Sequence, residues 1–218
     1  MRCICLLLLF LPVLCVAQQH PNDLNLVAGT GIGRQTEIPH YRSYGLMFQR
    51  TVAKFDRWLV RVGGINQVDD VTLESTGRPA NWPSDSQPKL QFSTSTVSLG
   101  GTVGLTRLFG NYSVQASLQP KFIVFDKLGV EGSNASNYGI TLRRRVSLES
   151  GIGLSRSIGP HWSIGVLGRL PLLAPQVDLL RSEVICPFVA PCVVLEEQRY
   201  DTRPLRLATL SVSVGFGF

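Results

Sequence analysis

A chain of 218 residues with 17% charged residues, a net charge of +6 and a mean hydropathy of +0.15 fits one all-β domain and is more apolar than most soluble proteins. No segment reaches the roughly 18 apolar residues of a membrane helix, which excludes a helical membrane protein. The positive charge is modest, and its only run is Arg143, Arg144 and Arg145, so a nucleic-acid partner is not indicated.

The first element is apolar. Residues 4–16 follow the single charge Arg2 and give way to the small residues Cys15 and Ala17, which predicts a signal peptide over 1–17 and an exported barrel domain over 18–218. Leu14 occupies the place where a lipoprotein would carry a small residue before Cys15, which argues against acylation. Cleavage takes Cys3, Cys5 and Cys15 with it and lowers the net charge by one, to +5, leaving Cys186 and Cys192. Two cysteines in an exported chain are expected to form one disulfide, with a pair of free thiols as the alternative. The segment CPFVAPC offers neither a histidine nor a third cysteine, so no metal site is expected.

Eight stretches alternate apolar and polar residues with a period of two: 24–33, 44–51, 57–67, 91–106, 112–125, 138–156, 162–169 and 208–218. The last shows the pattern best, with Leu210, Val212, Val214 and Phe216 on one face and Thr209, Ser211, Ser213 and Gly215 on the other. In 138–156 the apolar side carries Tyr138, Ile140, Leu142, Val146 and Ile152, and the polar side mixes Arg143, Arg145 and Glu149 with glycine and serine. A polar face so rich in glycine suits the lumen of a small barrel, where small residues make room for a few long ones. The stretch 91–106 is the least regular. Leu90 and Phe92 fall out of phase, which predicts a bulge or a strand end projecting from the membrane.

The connections alternate as well. VAKFD, RLFGN and RSIGPH are short, whereas 34–41, 68–88, 126–137 and 171–204 are long, as in an even-numbered up-and-down barrel with both termini on the tight-turn side. GLTRLFGNYSV and GLSRSIGPHWSI echo each other around two of the turns. They place Trp58, Tyr112 and Trp162 at one level as interfacial aromatics, with Phe218 joining them.

An eight-stranded lumen is largely filled by side chains. Arg61, Lys121, Arg143, Arg145 and Arg169 fall on the inferred inner face, opposed by Glu149, and must pair with one another, with Gln115 and Gln119, or with water. A polar structural core is the expected reading; if wet, such a lumen would favour anions. His161 and Ser163 share one strand face at a nucleophile-to-base spacing, but the first downstream glutamate is Glu183 in the far loop. No enzymatic activity, catalytic residue or cofactor is expected. His20 and His40 read as solvated.

The fourth long connection contains EVICPFVAPCVVLEE, apolar and bounded by charge. Two readings stay open: a contact site for an extracellular protein partner, or a hairpin that extends the last two strands and buries its own side chains. The second long connection, STGRPANWPSDSQP with Trp82, reads as an irregular surface loop that either contacts a partner or, the preferred reading, lies against the barrel rim.

The signal sequence, the eight alternating stretches and the ending VSVGFGF together resemble the small Gram-negative outer-membrane β-barrels grouped as OmpX-like or PorT-like. The resemblance implies an eight-stranded antiparallel up-and-down transmembrane β-barrel, surrounded by outer-membrane lipid. It also implies delivery by the barrel-assembly machinery, which reads Phe218 with Phe216 and Val214 before it. The last strand would close against residues 24–33, leaving no unpaired edge in lipid. The function expected is that of a barrel without an open pore that presents loops for interaction or stabilises the envelope. Its alternatives are a PorT-like accessory of protein secretion, and an exported soluble barrel that binds a small apolar ligand with its apolar faces turned inward.

Overall fold

A computed structural model describes residues 21–32, 38, 40–75, 90–131, 138–185 and 193–218. Among these residues there are eleven β-strands and no helix: β1 (Asn22–Gly31), β2 (His40–Phe55), β3 (Trp58–Ser75), β4 (Leu90–Phe109), β5 (Tyr112–Glu131), β6 (Tyr138–Arg144), β7 (Val146–Ile158), β8 (Trp162–Leu173), β9 (Gln176–Ile185), β10 (Val193–Pro204) and β11 (Thr209–Gly217). Eight of them form a closed antiparallel barrel in the order β1-β11-β8-β7-β5-β4-β3-β2. The other three form a separate sheet in the order β10-β9-β6.

The period-two pattern decides which face of each barrel strand turns inward. On β3 the odd residues from Leu59 to Leu73 point into the barrel and the even ones point out; on β4 the even residues from Phe92 to Thr106 point in. Closure is made as the sequence implies, by β11 against β1, with Leu26 opposite Val214 and Asn25 opposite Gly215. Every barrel strand therefore has two hydrogen-bonded neighbours and the ring has no free edge.

Three tight turns join the strands at one end, and each has its residue of positive φ. Asp56 (φ 51°) sits between the paired Phe55 and Trp58, Gly110 (φ 61°) between Phe109 and Tyr112, and Gly159 (φ 75°) just before Trp162. Glycine and aspartate tolerate that backbone region better than branched residues do, so the turn chemistry fixes the hairpin register at this end.

At the other end the strands run past the lengths expected from sequence: β3 continues to Ser75 and β5 to Glu131. The stretch 138–156, read as one strand, is two. It divides at Arg145, so that β6 pairs with β9 outside the barrel while β7 pairs with β5 and β8 inside it. The long connection 171–204 holds the β9–β10 hairpin, which follows β8 and leads into β11, with Leu205 N donating to the Pro175 carbonyl between them, and which also pairs with β6 to form the separate sheet.

The irregularity expected in 91–106 has a definite form. β4 keeps one phase throughout, and the extra residue lies opposite it on β5, where Val97 pairs with Phe125 and Ser98 with Ile123, leaving Val124 over. Phe92 is fully buried because this end of the barrel has an apolar interior. There it meets Ile38, Tyr41, Val71, Leu73, Ile123, Val177, Leu179 and Leu205, with Tyr138, Ile140 and Leu142 of β6 packed against them. The three-stranded sheet thus caps the long-loop end. Cys186, Cys192, Trp82 and residues 1–20 lie outside the described residues.

Candidate functional site

Below that apolar cap the lumen is polar and filled. Gln67 of β3 is its hub: its side-chain oxygen accepts hydrogen bonds from Lys121 Nζ and Arg169 Nη1, both at 2.6 Å, and its nitrogen donates to Asp69 Oδ1 at 2.6 Å. Lys121 also ion-pairs with Glu149. Arg169 extends from β8 to donate to Ser43 at 3.2 Å and Ser211 at 3.1 Å, tying β2 and β11 into the same network. Lys121 and Arg169 are each 3% exposed, so these charges are held away from solvent and depend on one another.

Arg206 completes the arrangement from a segment that is not a strand. Its Nε donates to Asp69 Oδ2 at 3.0 Å, its Nη1 to Glu149 Oε1 at 2.8 Å and to Ser147, and its Nη2 to Ser98 Oγ at 2.7 Å. Tyr41 adds its hydroxyl to Asp69 at 3.0 Å. Three cations, Lys121, Arg169 and Arg206, thus share two carboxylates, Asp69 and Glu149.

The expected lumen residues separate into three groups. Lys121, Glu149 and Arg169 lie together in this network, and Gln119 is fully buried near it. Arg61 also faces inward, but at the tight-turn end, where it ion-pairs with Asp23. Arg143 and Arg145 are not in the lumen. The division of 138–156 carries them outside, where their side chains are about half exposed, Arg143 lying 3.9 Å from Asp178 and Arg145 pairing with Asp126 at 2.8 Å.

Gln67 lies within a stretch read as a strand but was not singled out, and three further members, Asp69, Tyr41 and Arg206, escaped the sequence reading. Asp69 and Tyr41 fall in stretches read as loops, yet each continues the inward phase of its strand, Ile65-Gln67-Asp69 and Met47-Ser43-Tyr41, and that phase was the available signal. Arg206 had none, because only the closure of the barrel brings it inside.

The tight-turn end is built differently. Arg61, Asp23, Ser113, Ser155, Ser163 and His161 line a shallow polar mouth, where the Ser113 and Ser155 hydroxyls hydrogen-bond at 2.6 Å. His161 donates from Nδ1 to the Gly217 carbonyl at 3.0 Å and stacks on Phe216 at 5.6 Å. Trp58, Tyr112, Trp162 and Phe218 are all exposed around this end. The Arg107 guanidinium lies 5.2 Å from the Trp58 ring, Arg156 lies 5.6 Å from Tyr112, and Trp162 meets Phe216 edge-on at 5.0 Å.

Outside, the barrel wall is apolar. Leu26, Leu46, Phe48, Val103, Leu118, Phe122, Ile152, Val166 and Val212 are all exposed, Ile152 at 71% and Leu26 at 61%. Polar side chains in and apolar side chains out is the reverse of a water-soluble barrel.

No family model matches the chain, and no curated protein matches it. Among solved structures it is similar to CarO of Acinetobacter baumannii over 92% of this chain and 98% of that one, at 11% sequence identity and a TM-score of 0.26. So loose a likeness carries no argument about function, and the reading below rests on the geometry of this chain.

Proposed function

We propose that the protein spans the outer membrane of a Gram-negative envelope as a closed eight-stranded barrel with no open pore. Its long-loop end, the β9–β10 hairpin and the sheet it forms with β6, is offered to an extracellular protein partner or stabilises the envelope. One observation carries this reading: a closed ring whose outward face exposes leucine, isoleucine, valine and phenylalanine on every strand while its interior buries charge. Apolar surface on that scale is costly in water and favourable in hydrocarbon, and a closed ring meets the requirement that each backbone group be paired there. A soluble barrel binding an apolar ligand would need these faces turned inward.

The interior supports the reading of a barrel without an open pore. Two layers, the ion-paired Gln67 network and the apolar cluster around Phe92, lie across the lumen in series, and moving an ion through would require breaking buried charge pairs in the first and entering an apolar layer in the second. Export through a cleaved signal peptide and recognition of β11 by the barrel-assembly machinery belong to the same proposal. The test is electrophoresis of the membrane-fraction protein with and without boiling in detergent. A folded barrel migrates anomalously until heated; a protein recovered soluble with no heat-dependent shift would refute the reading.

A further inference from the structure

Along β2 to β5 the outward face changes character at one register row. Tyr44, Val68, Val97 and Phe125 are paired in sequence across these four strands and form the last apolar row. The next outward row, two residues and therefore roughly 7 Å further along each strand, is Arg42, Asp70, Ser95 and Lys127, and beyond it lie His40, Thr72, Ser93 and Gly129. These two rows line a groove of about 480 Å³ on the outer wall. Its ends carry the cations, on β2 and β5, and its floor between them is small and hydroxylated. Gly129 keeps that floor low, since a Cβ there would come within 2.9 Å of Ser93 Oγ.

Two features point to a ligand. Arg42 and Lys127 have no ion-pair partner among the described residues, whereas Arg107 and Arg156 at the opposite end lie over aromatic rings. The groove also begins where the hydrocarbon-facing surface stops, at the depth of lipid headgroups. Cationic side chains at that depth attract anionic headgroups, and hydroxyls can donate to phosphate oxygens. Asp70 lies between the cations and limits their pull.

We propose that this groove binds the phosphate of a membrane-lipid headgroup, clasped by Arg42 and Lys127 with Ser93, Ser95 and Thr72 as hydroxyl donors. This rests on the membrane-spanning reading above and adds a lipid-specific site at the boundary of the long-loop end.

The test reconstitutes the full mature chain in phosphatidylcholine vesicles and measures, by electron paramagnetic resonance, how strongly it immobilises spin-labelled phosphatidylglycerol relative to spin-labelled phosphatidylcholine. The wild type is expected to prefer phosphatidylglycerol, Arg42→Gln and Lys127→Gln to reduce that preference roughly fivefold each, and Asp70→Asn to increase it. Arg107→Gln with Arg156→Gln is expected to change it less, and inorganic phosphate is expected not to displace the lipid. Equal immobilisation of both lipids, a preference that survives when Arg42→Gln and Lys127→Gln are combined in one double variant, or displacement by inorganic phosphate would overturn the site. Heat-dependent gel mobility of each variant confirms the barrel, and the opposite sign expected for Asp70→Asn keeps the test decisive if the double variant does not fold. If no labelled lipid is immobilised at all, it is the membrane-spanning reading that fails.

Discussion

Arg206 reaches Glu149 at 2.8 Å inside the barrel although it belongs to none of the barrel strands. The same guanidinium contacts Asp69 at 3.0 Å, so one side chain entering from the long-loop end neutralises carboxylates contributed by β3 and β7. Replacing it leaves Asp69 with no ion pair and Glu149 with fewer donors. Arg206→Ala is expected to destabilise the folded barrel by about 3 to 5 kcal/mol, the usual effect of removing one partner of a buried pair. Urea unfolding from vesicles measures it; a loss below about 1 kcal/mol would show that Arg206 is peripheral.

The charge count in the lumen predicts an asymmetry. Lys121→Met leaves Arg169 and Arg206 facing Asp69 and Glu149, a balanced set, whereas Glu149→Met leaves three cations with one carboxylate. The second substitution is expected to be the more destabilising by about 2 kcal/mol or more. Equal effects on the unfolding midpoint would mean that packing, not charge pairing, sets the cost.

Two adjacent glycines differ in the same informative way. A Cβ on the inward-facing Gly63 would run into the Phe48 carbonyl, while on Gly64 it meets nothing nearer than the Gly100 oxygen at 3.7 Å. Gly63→Ala is expected to lower the fraction of refolded protein that shows heat-dependent mobility, and Gly64→Ala to leave it near the wild-type level. The reverse order would contradict the assigned facing of β3.

Current through planar bilayers tests the proposal that the lumen is sealed. Wild-type protein is expected to insert without sustained channel steps, because the Gln67 network and the Phe92 cluster close the path in turn. Long-lived, anion-selective steps would show that the network is wet and open.

The sequence made the ring legible because period-two alternation separates two faces wherever a strand is half buried. The eight barrel strands and the placement of Lys121, Glu149 and Arg169 follow from it, whereas the three tight turns were legible in the short connections and the closing pair in the need to leave no strand edge unpaired. Alternation does not say what each face meets. Tyr138, Ile140 and Leu142 on β6 and Val146 and Ile152 on β7 share one parity, yet the first three pack against the apolar cap and the last two are exposed on the outer wall. The division at Arg145 was therefore hidden, and with it the true surroundings of Arg143 and Arg145. Arg206 lay beyond reach for another reason: a lone arginine outside any periodic segment acquires its role only when the barrel closes around it.

The direction in which the two faces point is the central claim, and spin labels test it most directly. In a chain whose remaining cysteines are replaced by serine, single labels are placed at Val212, Ile152 and Ser113 in lipid vesicles, and their collision rates with oxygen and with a water-soluble nickel chelate are compared. Val212 and Ile152, exposed on the outer wall, should favour oxygen strongly, and Ser113 at the polar mouth should favour nickel. Free nickel access at Val212 and Ile152 would contradict the account, since the apolar wall would then face water.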